Sequence, residues 1–309
     1  MEKSDPDMSA WTLRILDTHE DLEAVEELQR LVWPGSETEV VPVHMLIAVV
    51  HNGGLVIGAF NDEDPAELLG FVYGFPGLYF TPDGPRPMHC SHQLGVHPDY
   101  RNSGLGFALK RAQWQMVRHQ GLDRVTWTYD PLLSRNAYLN IAKLGAVCNT
   151  YQRDVYGDLR DGLNRGLPTD RFVVDWWVNT KRVERRLSTK ARPQLDLAHF
   201  LAAGAEIINP TKVGGDGWPK PVSAAIPRRV DGGVGTEDQG EDALLLVEIP
   251  ADFLALKTAN SELALDWRLH SRAVFEDLFD QGYLVTDFVH LPGTHPRSFY
   301  VLSHGESTF

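Results

Sequence analysis

A strand that runs into a turn carrying Arg101, Gly104 and Gly106, and then into a long helix, can hold an anion, or can be a plain turn whose glycines serve tight packing. The segment is residues 94–106, LGVHPDYRNSGLG. Amide N–H groups in the first turn of a helix have no partner within the helix and face one point. The aligned peptide dipoles add positive potential there. Glycines let a phosphate approach the backbone closely. Residues 99–118 hold Arg101, Lys110, Arg111 and Arg118 against Asp99 alone, a local +3 in a chain of net charge −13. A dinucleotide fingerprint would need a third glycine three residues past Gly106, where Leu109 stands. The strand feeding the loop carries His89 and His92, with Ser91 between them and His97 just beyond. Imidazoles titrate near pH 6.5 and can move protons at neutral pH.

The elements that must position these residues are legible in the hydrophobic pattern. Residues 11–17 alternate as a strand. Residues 19–33 repeat apolar positions every three or four residues as a helix, with Thr18 as N-cap. Residues 55–60 and 68–73 read as a hairpin pair. Residues 81–87, TPDGPRP, read as a loop, and 88–96 as the strand before the anion turn. A helix over 105–120 places Leu105, Leu109, Ala112 and Met116 on one face, and Gly121 closes it. Strands follow over 124–129, 146–155 and 171–178, with a short helix over 134–144. Residues 210–242, rich in Gly, Pro and Asp, read as a long surface loop. Strands over 243–249, 283–290 and 298–302 and a helix over 261–280 complete the pattern.

The turn and the elements after it resemble the GNAT N-acetyltransferase superfamily. The usual form of that family's motif A is V-x-P-x-x-R/Q-x-x-G-x-G/A, filled here by Val96, Pro98, Arg101, Gly104 and Gly106. The next motif also comes in order: the strand over 124–129, then a helix with Asn136 and Ala137 that ends in Lys143, Leu144 and Gly145. The resemblance covers residues 11 to about 180 and is nearest to a predicted acetyltransferase subgroup with an added C-terminal region. It implies an α/β (α+β) fold: a mixed, mostly antiparallel sheet flanked by helices, with a smaller α/β C-terminal region. It implies acetyl-CoA (CoA) as donor and a domain over residues 1–180. Residues 181–309 would be an α/β extension, readable as a divergent half of the same fold. By the resemblance, the amides of Asn102, Ser103, Gly104, Leu105, Gly106 and Phe107 would hold the pyrophosphate, with Arg101 in the same turn. Leu94, Gly95 and Val96 would pair with the pantetheine arm and supply an oxyanion donor. Asn136 would sit near the cofactor arm.

Transfer from a thioester to an amine poses two proton problems. The acceptor ammonium must lose a proton, and the leaving thiolate can need one. The family's usual acid is a tyrosine four residues before the helix-ending glycine, but that position is Ile141. Tyr138, a turn earlier, could replace it or simply pack. Strand alternation puts Cys90 and His92 on one face and His89, Ser91 and Gln93 on the other. His92 is the best base among them, and Cys90 reads as a small core residue. Asp130, ending the next strand, could bind an ammonium or serve as a turn aspartate before Pro131. Trp127 and Tyr129 either line the site or fill the core.

Composition bounds the rest. With 309 residues, 43% hydrophobic and 23% charged, the chain can bury about two domain cores. Residues 1–180 carry 24 acids and 15 bases, and residues 181–309 carry 18 and 14, so acid concentrates in the part with the anion loop. That balance argues against nucleic acid or an anionic membrane as partner and suits a small-molecule amine. Two cysteines without a C-x-x-C leave no zinc or other metal site in view and fit a reducing cytoplasm. The N-terminus is polar and acidic, unlike a signal peptide, and no apolar run is long enough for a membrane helix. The basic run over 181–192 reads as a solvated face. The acceptor expected is a small amine or amino-acid derivative attacked directly. The rivals are a silent CoA-binding regulatory module, which Ile141 favours, and a transferase of longer acyl-CoA. A homodimer is one use for the extension.

Overall fold

Five strands and three helices carry the anion turn. In the computed structural model, which describes residues 11–35, 37–157, 166–188, 194–215, 217–227 and 244–304, the chain divides into two compact units. The described part of the first is residues 11–127 with 177–179. Strand β1 (Trp11–Ile15) pairs antiparallel with β2 (Leu55–Asn61), β2 with β3 (Leu68–Thr81), and β3 with β4 (Gly84–Val96). Strand β5 (Arg124–Tyr129) lies parallel to β4, through His89↔Val125 and Cys90↔Thr126. Residues 81–87, expected as a loop, are mostly strand: the β3–β4 hairpin stays paired out to Thr81↔Gly84.

Helix α1 (His19–Val32) begins where expected, with Thr18 Oγ1 accepting from the Asp21 amide at 3.2 Å. Helix α2 (Val43–His51) is an addition to the expected pattern, because Pro42 reads as an interruption. Proline is tolerated there because the start of a helix needs no N–H. Glu26 supplies the missing cap: its carboxylate accepts from the Val43 amide at 2.7 Å. The buried Gln29 side chain accepts from Val41 N at 2.7 Å and donates to Val41 O at 3.0 Å. Both helices cover one sheet face, burying Leu22, Val25, Leu46, Phe71 and Tyr73. Helix α3 (Leu105–His119) covers the other, with Ile57, Leu69, Val72, Leu105 and Leu109. Its buried stripe is Leu105, Leu109, Lys110, Gln113 and Val117, rotated from the expected one so that two polar residues point inward.

The second unit includes residues 128–157, 166–176 and 180–304 among those described. Strand β6 (Val147–Gln152) pairs with β7 (Arg171–Trp177) and, at Cys148↔Val285, with the strand Tyr283–Leu291. A helical turn, Ser134–Ala137, widens into a π-helix over Tyr138–Lys143, here together called α4. Helices α5 (Lys181–Leu187) and α6 (Leu197–Ala202) follow, capped by Thr180 and Asp196. The basic run is therefore partly helix, with Val183 and Leu187 buried; residues 189–193 lie outside the described ones. The expected loop over 210–242 contains the small hairpin β9 (Lys212–Val213) and β10 (Pro219–Lys220), preceded by β8 (Glu206–Ile207). From residue 228 that expectation lies outside the described residues. Strands β11 (Leu245–Ile249), β12 (Tyr283–Leu291) and β13 (Arg297–His304) form an antiparallel group, with α7 (Phe253–Ala259) and α8 (Ser261–Asp280) between β11 and β12.

Charge as well as apolar area holds this unit. Phe172 is ringed by Tyr129, Tyr151, Phe275 and Tyr300. Arg268 on α8, 2% exposed, forks onto both Asp130 oxygens at 2.8 and 2.5 Å. Arg272 forks onto Asp170 at 2.9 and 2.9 Å, and Tyr151 donates to the same carboxylate at 2.7 Å. A bidentate pair is the strong form of ion pair, and stranding one buried partner costs about 3–5 kcal/mol. Asp130→Ala should therefore lower the unfolding free energy read from urea titration by that order. Asp130→Ala combined with Arg268→Met, which removes both charges, should recover a large part of the loss. A single substitution no more costly than the double would refute the stabilising role of the pair.

Candidate active site

The geometry of β4 decides what the site can be. Its pairing with β5 covers only His89 and Cys90. Beyond them Leu94, Gly95 and Val96 remain paired on the β3 side, to Val72, Phe71 and Gly70. Among the described pairings up to Trp127, their β5-facing edge has no strand partner. Strand edges carry unpaired N–H and C=O groups and receive extended ligands well. Gly95 is required there by packing, since a Cβ would come within 2.6 Å of the Phe71 ring.

His92 sits at an irregularity. Tyr73 faces Gln93 and Gly74 faces Ser91, so His92 is the extra residue of a β-bulge. The bulge takes Gln93 off the face expected for it and leaves His89, Ser91 and His92 on theirs. Ser91 bonds to Gln113 of α3, and Leu94 packs in the core beneath α3. Gln93 is paired with Tyr73, which belongs to the opposite core. His89 and Ser91 therefore share the α3 face, and Gln93 does not. The His92 ring stands on the Tyr73 side, edge-on to Tyr73 at 5.3 Å and tilted on Phe75 at 5.9 Å between centroids. Desolvation by the protein around the ring lowers its pKa, although by surface area the residue is exposed. Cys90 keeps its proton more tightly than usual because of burial, in line with a core residue.

The anion turn has the expected form. Gly104, the α3 N-cap, is left-handed at φ 92°, and a Cβ there would meet nothing within 4 Å. Asn102 is also left-handed, at φ 68°. No side chain caps the helix from Gly104. Ser103 Oγ accepts from the Leu105 amide at 3.3 Å, and the helical ladder begins with Ala108 N to Gly104 O at 3.1 Å. The amide of Gly106 lies in the first turn, and a Cβ there would have only ordinary contacts at 3.7 Å or more. Backbone approach is open at both glycines, which fits a pyrophosphate. Arg101 has a further partner: its Nη2 donates to Val32 O at 3.3 Å, tying the turn to the end of α1.

β4, the turn and α3 thus bring His92, Leu94, Gly95, Val96 and residues 101–107 onto one continuous strand–turn–helix. Asp130, Asn136 and Tyr138 belong to the second unit. Both Asp130 oxygens are taken by Arg268, with Arg171 at 3.9 Å, so the carboxylate offered to an ammonium already holds a cation. Asn136 is half-buried in α4. Tyr138, at the start of the π-helical stretch, lies 5.7 Å under the Lys143 ammonium. Ile141 is fully buried.

Sequence reading missed a polar cluster behind β4. Lys110 Nζ donates to Ser91 Oγ and to Gln113 Oε1, both at 2.9 Å, and stands 3.8 Å over the Trp127 ring. Gln113 Nε2 lies 3.1 Å from His89 Nε2. His89, Ser91, Lys110 and Gln113 are all buried. The available signal was a lysine and a glutamine three apart, beside or within the apolar stripe of an amphipathic helix. Among the described residues no group of three or more His, Cys, Asp or Glu could hold a metal, and no helix is long and apolar enough to cross a membrane.

Comparison with known proteins bears on the same segment. Curated protein sequences returned no match. Among solved structures, the chain is similar to the ribosomal-protein-S18-alanine N-acetyltransferase of Escherichia coli, at 16% identity and TM-score 0.41, over 55% of this chain and 95% of that one. It is similar to Arabidopsis thaliana NAA60 with a bisubstrate analogue, at 18% identity and TM-score 0.42, over 55% and 99%. It is similar to the IAA acetyltransferase of Bacillus cereus, at 13% identity and TM-score 0.38, over 54% and 98%. Residues 22–140 match the profile of the acetyltransferase (GNAT) family. That stretch, which holds most of α1, the β4 edge, the glycine turn and α3, is the part of the chain that matches a GNAT acetyltransferase domain.

Proposed function

We propose that the chain transfers an acetyl group from acetyl-CoA to the primary amine of a small molecule or amino-acid derivative by direct attack. The observation that carries the reading is the continuous β4 edge, the left-handed glycine turn and an α3 start with no cap from Gly104. Amides of residues 102–107 hold the pyrophosphate. Leu94, Gly95 and Val96 pair with the pantetheine arm, and an amide from the same edge polarises the thioester carbonyl. His92 takes the proton of the acceptor ammonium. Its exposed position on the bulge supports that role, and its lowered pKa keeps it neutral at pH 7. Two free cysteines support a cytoplasmic setting. The resemblance assigns residues 1–180 to this activity and 181–309 to an extension. The buried Ile141 favours one rival, a CoA-binding module without turnover. Thiol release from acetyl-CoA with a panel of primary amines separates the two.

Two measurements test the reading. Gly104→Glu puts an anion and a strained left-handed residue into the cradle, and calorimetry should show CoA binding at least about tenfold weaker. Gly104→Ala, with free space around its Cβ, should lose much less. Equal losses would detach the turn from the phosphates. The base assignment predicts that kcat/KM falls as pH drops through a midpoint below 6.5, because only neutral imidazole accepts a proton. His92→Gln should lower kcat about a hundredfold and abolish that limb. An unchanged profile in His92→Gln excludes His92 as the base.

A further inference from the structure

Ile141 leaves the departing thiolate without the usual donor, and the buried cluster behind β4 offers another. Lysine can only donate, so the Gln113 oxygen that meets Lys110 fixes the amide. Gln113 Nε2 then donates to His89 Nε2, and the single ring proton of His89 sits on Nδ1, which is buried without a partner. Burial together with the Lys110 charge holds His89 to about 4, so the ring is neutral. Lys110 is therefore surrounded on β4 by neutral His89 and Ser91, on α3 by Gln113 and on β5 by the Trp127 ring.

Position gives the cluster its meaning. Ser91 is the first β4 residue past the last pair with β5, and Trp127 is the first β5 residue past it. On the acetyl-CoA reading, a pantetheine arm along the edge from Val96 to Leu94 would end at this junction, where the paired strands begin, with Ser91 toward the α3 face and His92 toward the other.

We infer that Ser91 and Lys110 form the proton-donating relay for the leaving thiol, with Ser91 at the sulfur and Lys110 acting through it. The inference rests on the acetyl-CoA reading above. As the amine nitrogen bonds to the carbonyl carbon, the C–S bond breaks and its electron pair stays on sulfur. The Ser91 hydroxyl proton, now directed at Gln113 Oε1, passes to that sulfur and gives the free thiol. A Lys110 N–H proton restores the hydroxyl and leaves a neutral amine. A proton shed by the acceptor nitrogen recharges the lysine by way of solvent, so the cycle closes without another reactant. Burial lowers Lys110 to about 7, which lets it hold a proton at neutral pH and release it readily.

CoA alone tests the relay, with no acceptor needed. The ultraviolet absorbance of the thiolate, followed against pH on the full chain loaded with CoA, reports ionisation of the bound thiol. With Lys110 and Ser91 present, the bound thiol should ionise at least about one pH unit below free CoA. Lys110→Met and Ser91→Ala should each return it to the free value, Ser91→Thr should keep the shift, and CoA affinity should change less than about threefold. Bound CoA whose thiol ionises alike in the unsubstituted chain and in Ser91→Ala overturns the relay and leaves the CoA reading standing. An unsubstituted chain that binds no CoA overturns the reading and the relay together. If Lys110→Met does not fold, Ser91→Ala, which loses one oxygen, decides between these outcomes.

Discussion

The parting of β4 from β5 after Cys90 is the constraint on which the first unit depends. β4 is paired to β3 along its length except at the bulged His92, but to β5 only at His89 and Cys90. A continuous pairing would satisfy every backbone group and leave nothing to bind with. Parting the strands leaves N–H and C=O groups that must find another partner. The edge at Leu94, Gly95 and Val96 stays extended because β3 holds it from the other side. Phe71 packs so closely against Gly95 that only glycine fits. The strand then hands the chain to the Gly104 turn with no slack, so edge and anion cradle have one fixed spacing.

The parting also explains a polar group that the core would otherwise reject. A buried lysine is costly because its ammonium loses hydration. Here Ser91, Gln113 and the face of Trp127 replace part of that hydration. The replacement is incomplete, as the downward shift of Lys110 to about 7 shows. The unfolded lysine binds its proton up to about pH 10.4. Between the two values the unfolded chain holds more protons, so this group disfavours folding more as pH falls from about 10 toward 7. A residue kept at such a cost is a candidate for function on physical grounds.

Much of this was legible in the residues. The glycine turn could be read because only glycine serves a left-handed N-cap with open space, as at Gly104. Helix α1 could be read because Thr18 and the apolar period agree. Helix α2 could not, because its cap comes from Glu26, seventeen residues before Val43. The partner of Asp130 lies on α8, 138 residues away, and no local pattern announces it. The role of Arg101 at the carbonyl of Val32 was hidden for the same reason. The bulge at His92 escaped because one extra residue leaves no mark in composition, yet it reverses the faces of everything before it.

That reversal ties the two halves of the proposed chemistry together. Leu94 is fixed to the α3 face by its place in the core with Val72 and Leu105. In a regular strand Ser91, three residues earlier, would then point to the opposite face. His89 would do the same, and Lys110 and Gln113 would be buried against nothing polar on β4. Inserting His92 moves Ser91 and His89 back under α3, where their partners stand. The same insertion leaves His92 itself on the Tyr73 side, outside the β3 register and exposed. One residue thus separates an exposed imidazole from a buried ammonium across a single strand. Two groups that must handle different protons gain by that separation, since a like charge beside either would depress its proton affinity further.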